Sequence, residues 1–188
     1  MSKTRLTAHD SSGVVWWTTG QSWRRGASHD LSAPLEESSV NAITIRRAEL
    51  RDLNAVVPLF DAYRMFYEQP SDPAGAAAFL RGRFEFGESV IFIAIDGTRA
   101  VGFTQLYPAF SSVRLRRVFL LNDLFVDERI RGKRVGERLL AAAAEHARAE
   151  GYVRLVLTTA VTNTKAQALY ERTGWVRDTH DYTYELAL

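Results

Sequence analysis

Three apolar runs follow one another in the middle of the chain, before strands begin to alternate with helices. Residues 90–95 and 100–106 are separated by an Asp-Gly pair, which is typical of a β-hairpin turn. A third run at residues 118–126 leads into a loop rich in glycine and arginine and then an alanine-rich helix at residues 137–150. This order predicts an α/β fold with a mixed, mostly antiparallel central sheet flanked by helices on both faces.

Shorter patterns complete the predicted domain, residues 41–188. Asp52 is the expected N-cap of a first helix ending near residue 67, in which Pro58 predicts a kink or a later start. Residues 1–40 are rich in Ser, Thr, Gly, Asp and Glu without a sustained period, so we predict an irregular or disordered arm there. The other predicted elements are a strand at 43–45, a helix at 72–84, a strand at 153–159, a helix at 164–172 and two closing strands, one from Trp175 onward and one at 182–186.

The composition excludes several kinds of chemistry. The chain has no cysteine, and its four histidines lack ligand spacing, so no disulfide, thiolate nucleophile or metal site is expected. The 24 basic and 22 acidic side chains nearly cancel, which argues against nucleic acid as a partner. Apolar runs far shorter than about 20 residues predict no membrane span, and the missing signal-peptide pattern predicts a cytoplasmic location.

The loop at residues 131–136 has the features of an anion site. Its glycines let backbone amides approach a ligand, and the following helix points its positive end at the same place. Arg131, Lys133 and Arg134 add three cations, which suits a diphosphate. Neither a GxxxxGK[ST] loop nor a GxGxxG loop is present, so a different kind of phosphate binder is required. A merely solvated connection is the alternative.

The stretch LFVDERIRGKRVGERLL around this loop resembles the cofactor segment of the GNAT superfamily of N-acetyltransferases. The family signature is Arg or Gln, two residues, Gly, one residue, then Gly or Ala. Arg131 and Gly136 fit it, whereas Arg134 stands where the first glycine usually lies, which leaves the local backbone angle open. The resemblance implies acetyl-CoA as co-substrate, with the amides of residues 132–137 around its pyrophosphate and residues 124–126 along its pantetheine arm.

A second stretch, TNTKAQALYERTGW, is similar to the family's other motif, in which Asn-x-x-Ala precedes a tyrosine and a terminal Gly-Phe or Gly-Trp. By resemblance, Asn163 hydrogen-bonds the cofactor arm and Tyr170 lies beside its sulfur. A phenol of pKa about 10 could there protonate the departing thiolate; otherwise Tyr170 is a core residue of a short helix. The cofactor-binding residues that the resemblance predicts are Leu124, Phe125, Val126, Arg131, Gly132, Lys133, Arg134, Val135, Gly136, Glu137 and Asn163.

The acceptor amine needs a group that removes its proton. In the polyamine-acetylating branch of the family a Glu-Asp pair precedes the cofactor loop, and this pair resembles Asn122–Asp123 here. Asn122 cannot act as a base, so Asp123 is the predicted second catalytic residue beside the tyrosine. Because side chains alternate along a strand, the face to which Asp123 points is open, and a structural or solvated role is the alternative.

Two further segments, residues 63–68 and 105–110, flank the acceptor in the family. Glu68 and Tyr107 are their polar members, and their aromatic residues could equally be core. His146, on the alanine-rich helix, is expected at the surface.

These features together predict an N-acetyltransferase that moves the acetyl group of acetyl-CoA directly to a primary amine of a small molecule or peptide. Direct transfer is expected because there is neither a cysteine nor a GxSxG serine to carry an acyl-enzyme. Two alternatives stay open. One is a non-catalytic acetyl-CoA sensor, against which Tyr170 argues. The other is a nucleic-acid-binding domain that uses the basic cluster at 129–134 together with Arg114, Arg116 and Arg117. The identity of the amine and a homodimer are left open by the sequence.

Overall fold

The computed structural model of the chain describes residues 43–130, 132–180 and 183–187. The predicted arm at residues 1–40 and the predicted phosphate ligand Arg131 lie outside these residues. None of the described helices is long and apolar enough to cross a membrane. The elements are β1 (Thr44–Arg47), α1 (Leu53–Phe66), α2 (Pro73–Glu85), β2 (Val90–Asp96), β3 (Arg99–Ser111), β4 (Arg116–Val126), α3 (Val135–Ala149), β5 (Leu155–Val156) and α4 (Thr164–Arg172), with 3-10 turns at Leu50–Asp52 and Glu128–Ile130.

The strands form one sheet in the order β1-β2-β3-β4-β5. The first three pairings are antiparallel, and β4 pairs with β5 in parallel. The parallel pair follows from the connection, since α3 crosses over between the two strands. The predicted fold class, a mixed and mostly antiparallel sheet with flanking helices, is confirmed.

Helices cover both faces of the sheet, and the side chains of β2 are buried on both of these faces. Ile91 and Ile93 are buried in the core beneath α1 and α2, whereas Phe92 and Ala94 are buried in the core beneath α3. Because both faces are buried, the strand is apolar without interruption instead of alternating with polar residues. We call these sides of the sheet the α1–α2 face and the α3 face.

A β-bulge interrupts β4 at Asn122. Across the ladder to β3, Leu121 pairs with Leu106 and Asp123 pairs with Gln105, so Asn122 has no residue opposite it. A bulge inserts one residue into one strand and bends that strand at this point.

The bulge reverses which residues of β4 face each core. Before it, Phe119 and Leu121 belong to the core on the α3 face; after it, Leu124 packs against that core and Phe125 packs on the α1–α2 face. Since strand side chains alternate, Asp123 shares the α1–α2 face with Phe125. In an unbroken strand Asp123 would have pointed toward α3.

The bulge also marks where β4 and β5 separate. β5 pairs with Phe119 and Leu120, upstream of the bulge. Within the described residues no ladder pair joins β5 to residues 122–126 of β4. The edge of this segment that faces away from β3 therefore presents extended backbone to a ligand.

The C-terminal part of the chain differs from the prediction. The strand predicted at 153–159 is limited to Leu155–Val156, and residues 175–180 and 183–187 are not strands. Val176 and Tyr184 are about nine-tenths exposed. An alternating pattern forms a strand only where a neighbouring edge pairs with it, and no such pairing is found for these described residues.

The first helix matches the prediction in part. Of the two outcomes expected at Pro58, a later start does not occur, because α1 begins at Leu53. Pro58 and Asn54 both lie on the exposed side, where water can hydrogen-bond the carbonyl that the proline leaves without a donor. Asp52 occupies the N-cap position of α1, as predicted, but its side chain makes no cap hydrogen bond and accepts hydrogen bonds from Arg46 at 2.6 and 2.7 Å instead.

Phe103→Ala should destabilise the domain by about 3–5 kcal/mol, because the fully buried ring packs against Phe60 and Tyr63 with centroids 6.0 Å away in each case. Phe110→Ala, a substitution of the same kind on the same strand, should change stability by less than about 0.5 kcal/mol, since Phe110 is 78% exposed. Urea titration of both variants measures this. Equal losses would contradict the assignment of Phe103 to the core.

Candidate functional site

The N-terminus of α3 follows two residues, separated by Lys133, whose backbone departs from ordinary geometry. Gly132 has φ 89°, and Arg134 has φ 56° and ψ 24°, both in the left-handed region. Arg134 therefore adopts a glycine-like conformation although it lacks glycine's freedom, at a cost of order 1 kcal/mol. Left-handed residues before a helix turn successive amides toward one point, and the first amides of a helix have no carbonyl partner within it. This loop can cradle an anion.

The cations around the cradle are held by carboxylates. Arg134 donates to Glu137 at 2.6 Å, and Arg172 of α4 donates to the other oxygen of the same carboxylate at 2.8 Å. These two guanidinium groups lower the pKa of Glu137. Lys133 lies 3.6 Å from Asp96. Glu137 thus gathers two arginines at the start of α3, Arg134 from the N-cap of that helix and Arg172 from α4, and they add positive charge to that of the helix end.

Gly136 serves packing between helices. A Cβ at this position would lie 3.2 Å from Leu169 of α4 and 4.0 Å from Val126 of β4. The preceding residue, Val135, is buried. The first turn of α3 can therefore lie against both neighbours, while the backbone amides of residues 135–137 remain the groups that face outward from the helix end.

The predicted strand segment of the site lies on β4 directly after the bulge. Leu124 and Val126 direct their side chains to the α3 face, and Phe125 directs its ring to the α1–α2 face. Both kinds of side chain are therefore occupied in packing, and the groups left for a ligand are the backbone amides and carbonyls of the edge that β5 does not cover.

Asn163 caps α4. Its Oδ1 accepts a hydrogen bond from the amide of Ala166 at 3.2 Å, so the helix begins where the second motif predicts it. This bond occupies the side-chain carbonyl and leaves the Nδ2 group as the donor that could meet a ligand.

Tyr170 lies in a cleft between β5 and α4. The cleft has a volume of about 410 Å³, and Leu157, Thr159 and Trp175 also line it. The Tyr170 ring is half-buried against the core on the α3 face, with its centroid 6.0 Å from that of Trp175. Burial, and then the neighbouring Tyr67 of the α1 end, raise the pKa of Tyr170.

Asp123 is a buried carboxylate, 3% exposed. Burial raises its pKa to about 6, although the nearby Tyr63 hydroxyl and the Asn122 amide favour the charged form. The Tyr63 hydroxyl itself donates to the backbone carbonyl of Asn122 at 3.3 Å. Asn122 donates to Oδ1 at 3.0 Å, whereas Oδ2 has no hydrogen-bond partner. The question of which face Asp123 occupies is thereby answered: it lies beside α1, where a surface role is excluded.

Tyr63 of α1 and Tyr67, which directly follows that helix, both couple electrostatically to Tyr170, and Tyr63 also couples to Asp123. The rings of Tyr63 and Tyr67 meet edge to face at 5.1 Å. Burial first, and then Asp123, raise the pKa of Tyr63 far above its usual range, and Tyr67 and Tyr170 contribute to the same rise. Residues from α1, β4 and α4 therefore interact electrostatically at one place, next to the uncovered edge of β4.

Gln105 belongs to the same cluster and was not singled out by sequence reasoning. It is fully buried, and its Nε2 donates to the Tyr107 hydroxyl at 2.6 Å and to Ser89 Oγ at 3.1 Å. Burial and the nearby Asp123 raise the pKa of Tyr107 to about 12. The available signal was an amide side chain within the otherwise apolar run at 100–106.

Two other sequence-selected residues lie apart from the cluster. Glu68 is exposed and has φ 62° at the end of α1, so it acts in the turn that ends the helix. His146, expected at the surface, packs its ring against Phe92 and Phe119 with centroids 5.6 and 5.8 Å away.

Similarity to known proteins agrees with this geometry. The family model described as acetyltransferase (GNAT) family matches residues 56–175, which include the bulge, the cradle and α4. YhfO of Bacillus subtilis (strain 168), described as an uncharacterized N-acetyltransferase, is 50% identical over 137 residues, covering 73% of this chain and 92% of YhfO. A probable acetyltransferase of Haemophilus influenzae is 33% identical over 143 residues, covering 76% of this chain and 96% of that protein.

Solved structures agree as well. The crystal structure of a probable acetyltransferase superimposes with a TM-score of 0.74 at 40% identity, covering 77% of this chain and 97% of the other. With the matched segment spanning both sequence motifs and most of the sheet, this chain belongs to the acetyltransferase (GNAT) family.

Proposed function

We propose that the protein is an N-acetyltransferase that takes an acetyl group from acetyl-CoA and transfers it directly to a primary amine of a small molecule or peptide. The observation that carries this proposal is the buried carboxylate of Asp123 directly after the bulge, on the part of β4 that β5 does not cover, and Tyr63 couples electrostatically to both Asp123 and Tyr170. A proton acceptor and a proton donor on opposite sides of one ligand edge are what acyl transfer to an amine requires.

The residues around the site fit acetyl-CoA. The cradle before α3 presents amides at residues 132–137 to a diphosphate, and the left-handed Arg134 gives them the required direction. The edge at residues 124–126 offers backbone groups to the amides of the pantetheine arm, with Asn163 Nδ2 as a further donor. Arg131 remains a predicted phosphate ligand. When bound, the co-substrate supplies an acetyl thioester with a thiolate as leaving group.

Asp123 would act as the base. An acceptor ammonium group has a pKa of about 10.4 and cannot attack until it loses a proton. A carboxylate whose pKa is raised to about 6 accepts that proton more readily than one of ordinary pKa 3.8, yet it is still ionised at neutral pH. Oδ2, which has no hydrogen-bond partner, is the atom that would receive it.

Tyr170 would act as the acid. Burial raises its pKa, so the hydroxyl keeps its proton at neutral pH. The amine lone pair forms the new N–C bond, the C–S bond breaks with its electron pair going to sulfur, and the Tyr170 hydroxyl donates a proton to that sulfur. The new amide nitrogen loses its remaining extra proton to solvent, the phenolate of Tyr170 is reprotonated from solvent, and Asp123 releases the proton that it accepted to solvent.

Tyr170→Phe should lower turnover by roughly 10²- to 10⁴-fold while acetyl-CoA affinity and folding survive, because only the donor hydroxyl is removed. Thiol release from acetyl-CoA measures turnover with a panel of polyamines, amino acids, aminoglycosides and lysine peptides, and calorimetry measures affinity. Tyr152→Phe is the matched control, since the Tyr152 hydroxyl lies elsewhere, bonded to Arg117; its turnover should stay within about twofold of the parent.

Three results would contradict this assignment. Turnover of Tyr170→Phe within about twofold of the parent would exclude protonation by Tyr170 from the barrier. Loss of affinity together with turnover would make Tyr170 a binding or packing residue. A parent protein that binds acetyl-CoA but releases no thiol with any amine would favour the non-catalytic sensor.

Arg134→Gly should keep acetyl-CoA affinity within about threefold, because glycine adopts the same left-handed conformation and the amides are the proposed ligands. Arg134→Val should weaken binding by about tenfold or more, since a β-branched residue resists φ 56°. Leu115→Val, at φ 51° in the distant β3–β4 turn, controls for general strain. Calorimetry measures all three. Equal losses in Arg134→Gly and Arg134→Val would identify the guanidinium group as the ligand.

Asp123→Asn removes a buried charge, so it should increase the free energy of unfolding at pH 8 by roughly 1–2 kcal/mol. This corresponds to a rise in melting temperature of about 4 °C. The folded-state pKa, about 6, exceeds the ordinary 3.8, so the folded state binds this proton more tightly and stability falls as pH rises from about 4 to about 6. The gain should therefore shrink toward pH 4.

Asp127→Asn is the control, for which a change in melting temperature of the opposite sign is expected. Arg129 lowers the pKa of Asp127, so removing that charge should lower the melting temperature at pH 8. Thermal melts at both pH values measure the two variants. An Asp123→Asn protein no more stable than the parent at pH 8 would show that the buried charge carries no cost.

A further inference from the structure

Two buried side-chain atoms of the described residues have no hydrogen-bond partner: Gln105 Oε1 and Asp123 Oδ2. Native proteins satisfy most buried polar atoms, since an unpaired one costs roughly 1–3 kcal/mol. Both atoms are acceptors. An occupant that satisfies them must therefore be a donor.

The two residues lie directly opposite each other. Gln105 and Asp123 are register partners of β3 and β4. On each strand the residue two positions away, Phe103 or Phe125, packs on the α1–α2 face, so both polar side chains project from that same face. Opposed residues have Cβ atoms about 4.5–5.5 Å apart, close enough for one small group to contact both oxygens.

The Gln105 amide is held at its other end. Its Nε2 donates one N–H to the Tyr107 hydroxyl and the other to Ser89 Oγ. With Nε2 occupied in this way, Oε1 is the atom of Gln105 that remains available to a ligand. It lies on the α1–α2 face, as does Asp123, the proposed base. The titratable groups that couple to Asp123 are Tyr63 and Tyr107, and Tyr107 also couples to Arg83 and Glu88.

We propose that Gln105 is a specificity-determining residue whose Oε1, together with Asp123 Oδ2, forms a seat for an unsubstituted primary amine. This proposal rests on the proposed function. A primary ammonium group gives one N–H to each oxygen. After one proton moves to Asp123, the neutral amine still has an N–H for Gln105 while its lone pair is free to attack.

A secondary amine fits this seat less well. N-methylation replaces one of the three N–H groups of the ammonium ion by a methyl group, so both remaining N–H groups are committed to the two oxygens and the methyl group must take the third position. Gln105 and Asp123 are 0% and 3% exposed, and close-packed surroundings of this kind tolerate an added methyl group poorly. The seat thereby selects primary amines over their N-methyl derivatives.

The test compares three matched pairs in the thiol-release assay: cadaverine with N,N′-dimethylcadaverine, Nα-acetyllysine with Nα-acetyl-Nε-methyllysine, and glycine with sarcosine. For a pair whose primary amine is used, the parent should prefer it by about 10- to 100-fold in kcat/KM. Gln105→Met, which keeps the length and removes the carbonyl, should lose about tenfold or more on the primary amine, mainly in KM, and narrow the preference to about threefold.

Thr104→Val is the matched control. Thr104 is the neighbouring buried polar residue of β3 on the α3 face, where its hydroxyl donates to the Asp123 carbonyl at 2.8 Å. Its preference for primary amines should equal that of the parent. Calorimetry with acetyl-CoA and thermal melting show that each variant is folded.

Several results would overturn the seat. Equal kcat/KM values of the parent for both members of a pair would contradict the seat. So would a Gln105→Met protein that loses activity equally on both members. A shift of the acidic limb of the pH–activity profile to higher pH in Gln105→Met would also contradict the seat. It would show that the Gln105 side chain donates a hydrogen bond to the Asp123 carboxylate instead of accepting one from the amine. If the parent releases no thiol with any amine, the proposed function fails, and the seat with it.

Discussion

The bulge at Asn122 is the constraint on which the rest of the site depends. One inserted residue turns Asp123 from the α3 face to the α1–α2 face, opposite Gln105. It also lies where β4 and β5 part, so that the next residues of β4 keep an edge without a strand partner in the described structure. The same backbone irregularity thus lies at the start of the proposed ligand-binding edge and turns the Asp123 side chain of that strand toward the α1–α2 face.

The site keeps its unfavourable features together. Asp123 is charged and buried, Gln105 has an unpaired acceptor, and Tyr63 and Tyr107 hold their protons more tightly because the carboxylate is near. Such a cluster costs stability, and the packing around Phe103 on the same face offsets that cost. Perturbed groups gathered in this way are characteristic of functional sites, because a bound substrate supplies the missing partners.

The anion cradle rests on backbone more than on side chains. Arg134 and Lys133 are engaged with carboxylates, and Gly136 is used for packing against Leu169. What distinguishes the loop is the left-handed backbone before α3 and the unpaired amides of the first helical turn. This chain can therefore carry an arginine where the family signature has a glycine, because the surrounding structure holds Arg134 in the left-handed conformation.

The sequence by itself determined the local elements and the two motifs. The apolar runs predicted β2, β3 and β4, and the helices predicted at 72–84 and 164–172 begin at side-chain caps that the structure contains, Asp72 and Asn163. These features depend on neighbours along the chain, as side-chain periodicity and capping do. The order of strands and helices was enough for the fold class.

Only the tertiary structure decided the face of Asp123, the burial of Gln105 and the coupling of Tyr170 to α1. A bulge arises from the register between two strands, and an unpaired acceptor is defined by everything packed around it. The closing strands were predicted wrongly for the same reason, because residues 175–180 and 183–187 have a strand-like pattern without a partner edge in the described structure. Local preference chooses a conformation, and long-range hydrogen bonding decides whether it persists.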